Sequence, residues 1–128
     1  MNLNQVTVPA RDLAVAVPFY QTLGLRLIVD ARPRYARFEC PDGGSTFSLH
    51  RVETPPDAAA GTIVYFECTD LEVRVERLRA AGIQFDLLPT DQSWGWREAR
   101  LRDPDGNVLV LYHAGANRRF PPWRLADA

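Results

Sequence analysis

The sequence is poor in the features that announce many familiar chemistries. It has two cysteines, and its charge nearly cancels, with 15 basic against 16 acidic residues. Cys40 and Cys68 are spaced like neither a disulfide framework nor a metal knuckle, so both are expected as reduced thiols in or near the core. Balanced charge creates no long-range field toward nucleic acid or an anionic membrane, and neither is expected as a partner. No apolar run approaches the roughly 20 residues of a spanning helix, and the opening residues lack a basic-then-apolar signal pattern, so the expected setting is cytoplasmic. No Ser-His-Asp arrangement, phosphate loop or nucleotide fingerprint is present.

What the chain does have is one unit written twice. Arg97-Glu98-Ala99-Arg100-Leu101-Arg102 leads through Asp103-Pro104-Asp105-Gly106-Asn107 into Val108-Leu109-Val110-Leu111-Tyr112-His113. Pro104 presets a negative φ, Gly106 accepts a positive one, and the flanking Asp and Asn side chains bond locally to backbone, so the two extended runs form a hairpin. Tyr35 to Glu39 leads in the same way through Cys40-Pro41-Asp42-Gly43-Gly44 into Ser45 to His50. Upstream of each hairpin, Gln5 to Leu13 lines up without gaps against Ile63 to Leu71. At 128 residues the chain suits one well-filled core. The expected organisation is a single domain with module one over 1–52, a linker over 53–61, module two over 62–113 and a tail over 114–128.

Each module reads β-α-β-β-β. Asn2 to Ala10 is a β-prone run ended by Pro9. Asp12 can cap a helix in which Leu13, Ala16 or Val17, Tyr20 and Leu23 share a face, with Gly24 closing it and Pro18 interrupting it near Ala14. Leu25 to Asp30 is the next strand, and Arg32-Pro33-Arg34 turns into the hairpin. In the second module Ile63 to Glu67 is a strand, and Asp70 caps a helix with Leu71, Val75 and Leu78 on one face, stopped by Gly82. Ile83 to Leu88 is a strand, Pro89 to Ser93 a loop, and Trp94 to Arg102 the first hairpin arm. The tail cannot be regular throughout, yet Phe120, Trp123 and Leu125 need burial, across the sheet or against a second subunit.

The doubled β-α-β-β-β order, the strand-Asp-Leu-helix-Gly openings and the twin Pro-Asp-Gly hairpins resemble the vicinal oxygen chelate superfamily, the glyoxalase, bleomycin-resistance and dioxygenase group. The resemblance covers about residues 3 to 113. It implies an α+β fold in which two tandem βαβββ modules form a curved mixed-sheet cup around a ligand, and it implies a homodimer. Metal-bearing members take one ligand from the opening strand of each unit and one from the last hairpin strand, usually His or Glu. Carried over, those positions are Gln5, Ile63 and Val110, with Ser48 as the fourth, or Phe47 if the turn at Gly43-Gly44-Ser45 holds no extra residue. Ile63 and Val110 have no lone pair to give, so the resemblance implies a dismantled metal site and no cofactor.

If Gln5, Ile63 and Val110 face the cup, strand alternation brings Thr7, Tyr65, Glu67 and Tyr112 with them, and Ser48 brings His50. His50 is the candidate imidazole, as displaced ligand, general base or hydrogen-bonding handle; the alternative is a strand-end histidine bonded to backbone or water. Trp94 and Trp96 share a face with Glu98 and Arg100, as a stacking wall for a planar or cationic ligand or as cover for the sheet. Arg32, Arg34, Arg37, Arg97, Arg100 and Arg102 could grip an anion or form a solvated face.

A fold hosts many functions, so activity does not follow from the resemblance. The first reading is a metal-independent small-molecule binder whose ligand, planar or aromatic, meets Gln5, Thr7, Ser48, His50, Tyr65, Glu67, Trp94, Trp96, Val110 and Tyr112. The alternative is a metal-dependent lyase, isomerase or dioxygenase with non-standard ligands to a divalent ion.

Overall fold

Residues 1–57 and 61–127 are described by a computed structural model of the chain. Of the expected linker, residues 58–60 lie outside the described residues, as does residue 128 of the tail. Two units separate by their internal contacts, Met1–Thr62 with Asp103–Asn107, and Ile63–Arg102 with Val108–Ala128.

The first unit contains β1 (Gln5–Ala10), α1 (Leu13–Leu23), β2 (Arg26–Ala31), β3 (Tyr35–Glu39) and β4 (Thr46–Arg51). Its sheet runs β1-β4-β3-β2, with β1 parallel to β4 and the other neighbours antiparallel. Pro9 lies inside β1 rather than ending it, as an edge strand allows. Helix α1 forms as its spacing predicts. The Asp12 carboxylate accepts the Ala14 N–H at 2.9 Å, and Gly24 takes φ 115° where a side chain would be strained. Pro18 and Ala14 are both exposed, so the backbone bond that proline removes is lost on the side open to water. Leu13, Ala16, Val17, Tyr20 and Leu23 are buried on the other side, where the Tyr20 ring meets Phe47 at 4.7 Å and Phe38 at 5.8 Å. That contact identifies the sheet face carrying Phe38, Phe47 and Leu49 as the one α1 covers.

The Asp103–Asn107 turn belongs to this unit. One Asp103 oxygen accepts the N–H groups of Asp105 and Asn107 at 2.9 and 2.8 Å; the other accepts the Tyr20 hydroxyl at 2.6 Å and Asn107 Nδ2 at 2.7 Å. Asn107 Nδ2 also reaches the Pro9 carbonyl, and the Asp105 carboxylate accepts the Arg11 N–H. Burial, followed by the adjacent Asp103 carboxylate, pushes the Tyr20 phenol far above its usual range. The sharpest motif of the sequence is therefore a packing device.

The second unit contains β5 (Ile63–Glu67), α2 (Leu71–Ala80), β6 (Phe85–Asp91), β7 (Arg97–Arg102) and β8 (Val108–His113), with sheet order β5-β8-β7-β6. This is the βαβββ plan again, so the fold is two tandem modules, each a four-stranded mixed sheet with one helix. Leu71, Val75 and Leu78 are the buried face of α2.

Three further expectations are corrected, and one of the two places expected for the tail is set aside. Asp70 occupies the N-cap position of α2, but its side chain makes no capping bond and pairs with Arg74 at 3.2 Å instead. Strand β6 starts at Phe85 and runs through Pro89 to Asp91, because an edge strand with two register shifts accommodates a proline that reads as a breaker. Strand β7 begins only at Arg97, since Gln92 to Trp96 closes a turn through Gln92 N–H to the Trp96 carbonyl at 2.7 Å. The tail is not buried within this chain. After a 3₁₀ helix, Gly115–Arg118, the side chains of Phe120, Trp123 and Leu125 are 58, 62 and 77% exposed, and Arg124 lies over the Phe120 ring.

Candidate functional site

In each unit one sheet face carries the helix and the other carries the residues expected to meet a ligand. The register shows which face each residue joins. In the first unit Gln5 pairs with Thr46 and Thr7 with Ser48; in the second Ile63 pairs with Val108 and Tyr65 with Val110. Ser48 and Val110 are thus equivalent, whereas Phe47 is on the helix-covered face, 2% exposed, which removes the one-residue ambiguity.

On the first unit's helix-free face, Thr46 Oγ1 donates to Gln5 Oε1 at 2.9 Å, and the Tyr35 hydroxyl donates to Ser48 Oγ at 2.9 Å. Arg37 Nε donates to the Tyr35 oxygen, also at 2.9 Å. The Ser48 hydroxyl first, then the Arg37 guanidinium, hold the Tyr35 phenol below its usual range despite some desolvation. Ser48 is fully buried, while Thr7 and His50 are exposed, His50 at the far end of β4 opposite Tyr35. Tyr35 is not among the residues expected at the site, and Arg37 is expected only as one of six arginines that could grip an anion or form a solvated face. The available signal was their alternation in Tyr35-Ala36-Arg37; what was lacking was the cross-strand partner.

On the second unit's helix-free face three rings meet. Trp96 stacks on Tyr112 with centroids 4.8 Å apart and planes at 26°, and Tyr65 stands edge-on to both, at 6.0 and 5.5 Å. Tyr65 remains 41% exposed and Tyr112 only 5%. Burial, then the nearby Glu67 carboxylate, raises the Tyr112 phenol above its usual range. Trp94, placed by the turn rather than by β7, still reaches this face: its Nε1 donates to Glu98 at 3.1 Å, and Arg100 donates to the other Glu98 oxygen at 3.3 Å. Glu98 is fully buried. Glu67 is taken up by the chain itself, accepting the Ala114 and Gly115 N–H groups at 2.8 and 3.0 Å. Away from these residues, an open groove of about 800 Å³ lined by Glu76, Arg79, Ile83, Phe85 and Leu88, among others, gathers none of the expected site.

The sequence model of the Glyoxalase/Bleomycin resistance protein/Dioxygenase superfamily matches residues 2–111. The chain belongs to this superfamily. It is similar to the uncharacterized protein YraH of Bacillus subtilis (strain 168), 26% identical over 88% of this chain and 98% of YraH. A glyoxalase/bleomycin resistance protein/dioxygenase structure from Nocardioides superposes with TM-score 0.74 at 26% identity, over 98% of this chain and 90% of that one. A bleomycin-binding protein solved with bleomycin superposes with TM-score 0.72 at 22% identity, over 88 and 98% of the two chains, and shares the fold.

Metal-bearing superfamily members raise the question of whether the residues here fit a divalent ion. At the four matching positions Gln5 and Ser48 offer only neutral oxygens already bonded to Thr46 and Tyr35, and Ile63 and Val110 offer none. Among the described residues no three His, Cys, Asp or Glu side chains gather to hold a metal. The donor set does not fit such an ion. No helix among the described residues is long and apolar enough to cross a membrane.

Proposed function

We propose that the protein binds a small planar molecule without a metal, and that the aromatic face of the second unit is the binding surface. The observation carrying this reading is the Tyr65, Trp96 and Tyr112 cluster on the helix-free face, with Tyr65 open to solvent and a buried carboxylate, Glu98, close in sequence. Rings fixed against one another offer stacking surface at little further entropic cost, and the Trp94 and Arg100 bonds hold Glu98 in place as a polar neighbour. The bleomycin-binding relative shows that this fold can serve as a binder. Aliphatic side chains at Ile63 and Val110 favour binding over metal-assisted catalysis, which would need donors there.

Tryptophan fluorescence during titration with bleomycin and with neutral planar heterocycles tests the proposal. Saturable quenching is expected, weakened by about 0.5–1.5 kcal/mol in Tyr65→Ala, a partly exposed position where truncation should spare the fold. Elemental analysis is expected to find no stoichiometric zinc, nickel or iron. One such ion per chain, lost on substituting Gln5 and His50, would return the metal-dependent lyase or dioxygenase reading.

A further inference from the structure

The two modules set an arginine at the same point of their third strand. Arg37 stands opposite Ser48, and Arg100 stands opposite Val110, the equivalent of Ser48 in the repeat. Two residues earlier the modules part ways. In the second unit that position is Glu98, fully buried, whose carboxylate lies 3.3 Å from an Arg100 terminal nitrogen. In the first unit it is Tyr35, a neutral phenol.

Arg37 therefore has no carboxylate partner among the described residues. Its Nε is used on the Tyr35 oxygen, and its guanidinium carbon sits 5.5 Å from the Tyr35 ring centroid. The two terminal amino groups have no acceptor among the described residues. Its strand neighbours are Val29 on one side and Ser48 on the other, neither of them charged. The nearby carboxylates are already committed: Glu39 pairs with Arg26 and Asp30 with Arg32. Arg37 is half-buried, and the free edge of its guanidinium presents paired N–H groups of the spacing a carboxylate accepts.

We propose that Arg37, braced by Tyr35 and Ser48, is a carboxylate-binding site on the first unit, receiving an acidic group of a small ligand where the second unit supplies its own Glu98. Tyr35 holds the guanidinium plane by accepting from Nε, and Ser48 holds Tyr35 by accepting its hydroxyl. The exposed Thr7, beside Ser48, leaves an approach to the same face. The inference stands on the first unit alone and does not need the aromatic reading.

Benzoate and its neutral isostere benzamide are the probes, followed by calorimetry and by the arginine Nε–H resonances, with Arg37 assigned in the wild-type chain by through-bond correlation to its own backbone. Benzoate is expected to bind saturably and shift the Arg37 signal, and benzamide to leave that signal in place. Affinity for benzoate is expected to fall about tenfold or more in Arg37→Gln, and also in Tyr35→Glu, which copies the second module's internal neutralisation while keeping the arginine. Equal binding of benzoate and benzamide, no benzoate binding, or wild-type affinity in either variant overturns the site. The wild-type comparison decides the matter even if a variant fails to fold. Tryptophan quenching by both probes without movement of Arg37 would overturn this site and leave the aromatic surface standing; a shifted Arg37 with silent tryptophans would do the reverse.

Discussion

Tyr20 shows how one side chain can outrank its neighbours. Its ring fills the first core between Phe38 and Phe47, and its hydroxyl ends on Asp103 at 2.6 Å. Folding raises its pKa above the ordinary 10.0, so the folded state holds that proton more tightly than the unfolded chain. The stabilisation is complete below the ordinary value and is lost as pH climbs above it. Tyr112 and Cys40, both raised, act in the same sense, while the lowered Tyr35 acts in the opposite one. Tyr20→Phe is expected to lose about 1.5–3 kcal/mol at neutral pH, the worth of a hydrogen bond to a carboxylate. Its urea midpoint should then fall less than the wild type's between about pH 8 and pH 10.5. Parallel pH profiles for the two proteins would show that Tyr20 is not the group responsible. Alternation identified Thr7, Tyr65 and Tyr112 as face-mates of the ligand positions, but it could not see that Ser48 is bonded to Tyr35, because that pairing depends on a hairpin register that a single extra turn residue would reverse.

The two helices open with the same Asp-Leu pair and use it differently. Asp12 caps α1 through Ala14, whereas Asp70 leaves α2 uncapped by its side chain and turns to Arg74. Asp12→Ala should therefore cost about 1 kcal/mol, and Asp70→Ala about 0.5 kcal/mol or less, since a partly exposed i,i+4 pair contributes little. Chemical denaturation of both variants reads the difference; equal losses would mean that the distinct cap geometries do not matter energetically. Helix spans were legible because apolar spacing, an acidic cap and a closing glycine agree. The ends of β6 and β7 were not, because Pro89 reads as a breaker in sequence and is tolerated only on an irregular edge, and because Gly95 bends Trp94 and Trp96 out of the strand they seemed to begin.

For the whole molecule the unresolved demand is the tail. Its backbone is ordered by bonds such as Phe120 N–H to the Ala116 carbonyl, yet Phe120, Trp123 and Leu125 face outward. Ordered backbone with outward apolar side chains is the pattern of a surface waiting for a partner. Light scattering is expected to give a dimer for the full chain and a monomer for a chain ending at Gly115. A dimer mass for the shortened chain would place the interface elsewhere.

By itself the sequence determined the doubled βαβββ plan and the helix cores, because periodicity and turn chemistry are local properties; that Ile63 and Val110 stand where metal-bearing members carry donors is what the family resemblance implies. Only the tertiary structure decided that Asp103 serves Tyr20, that Glu98 neutralises Arg100, and that Arg37 meets a phenol instead of an acid. Each of these depends on which side chains are brought across from another strand or another part of the chain, and charge compensation is a property of such neighbours, not of residue type.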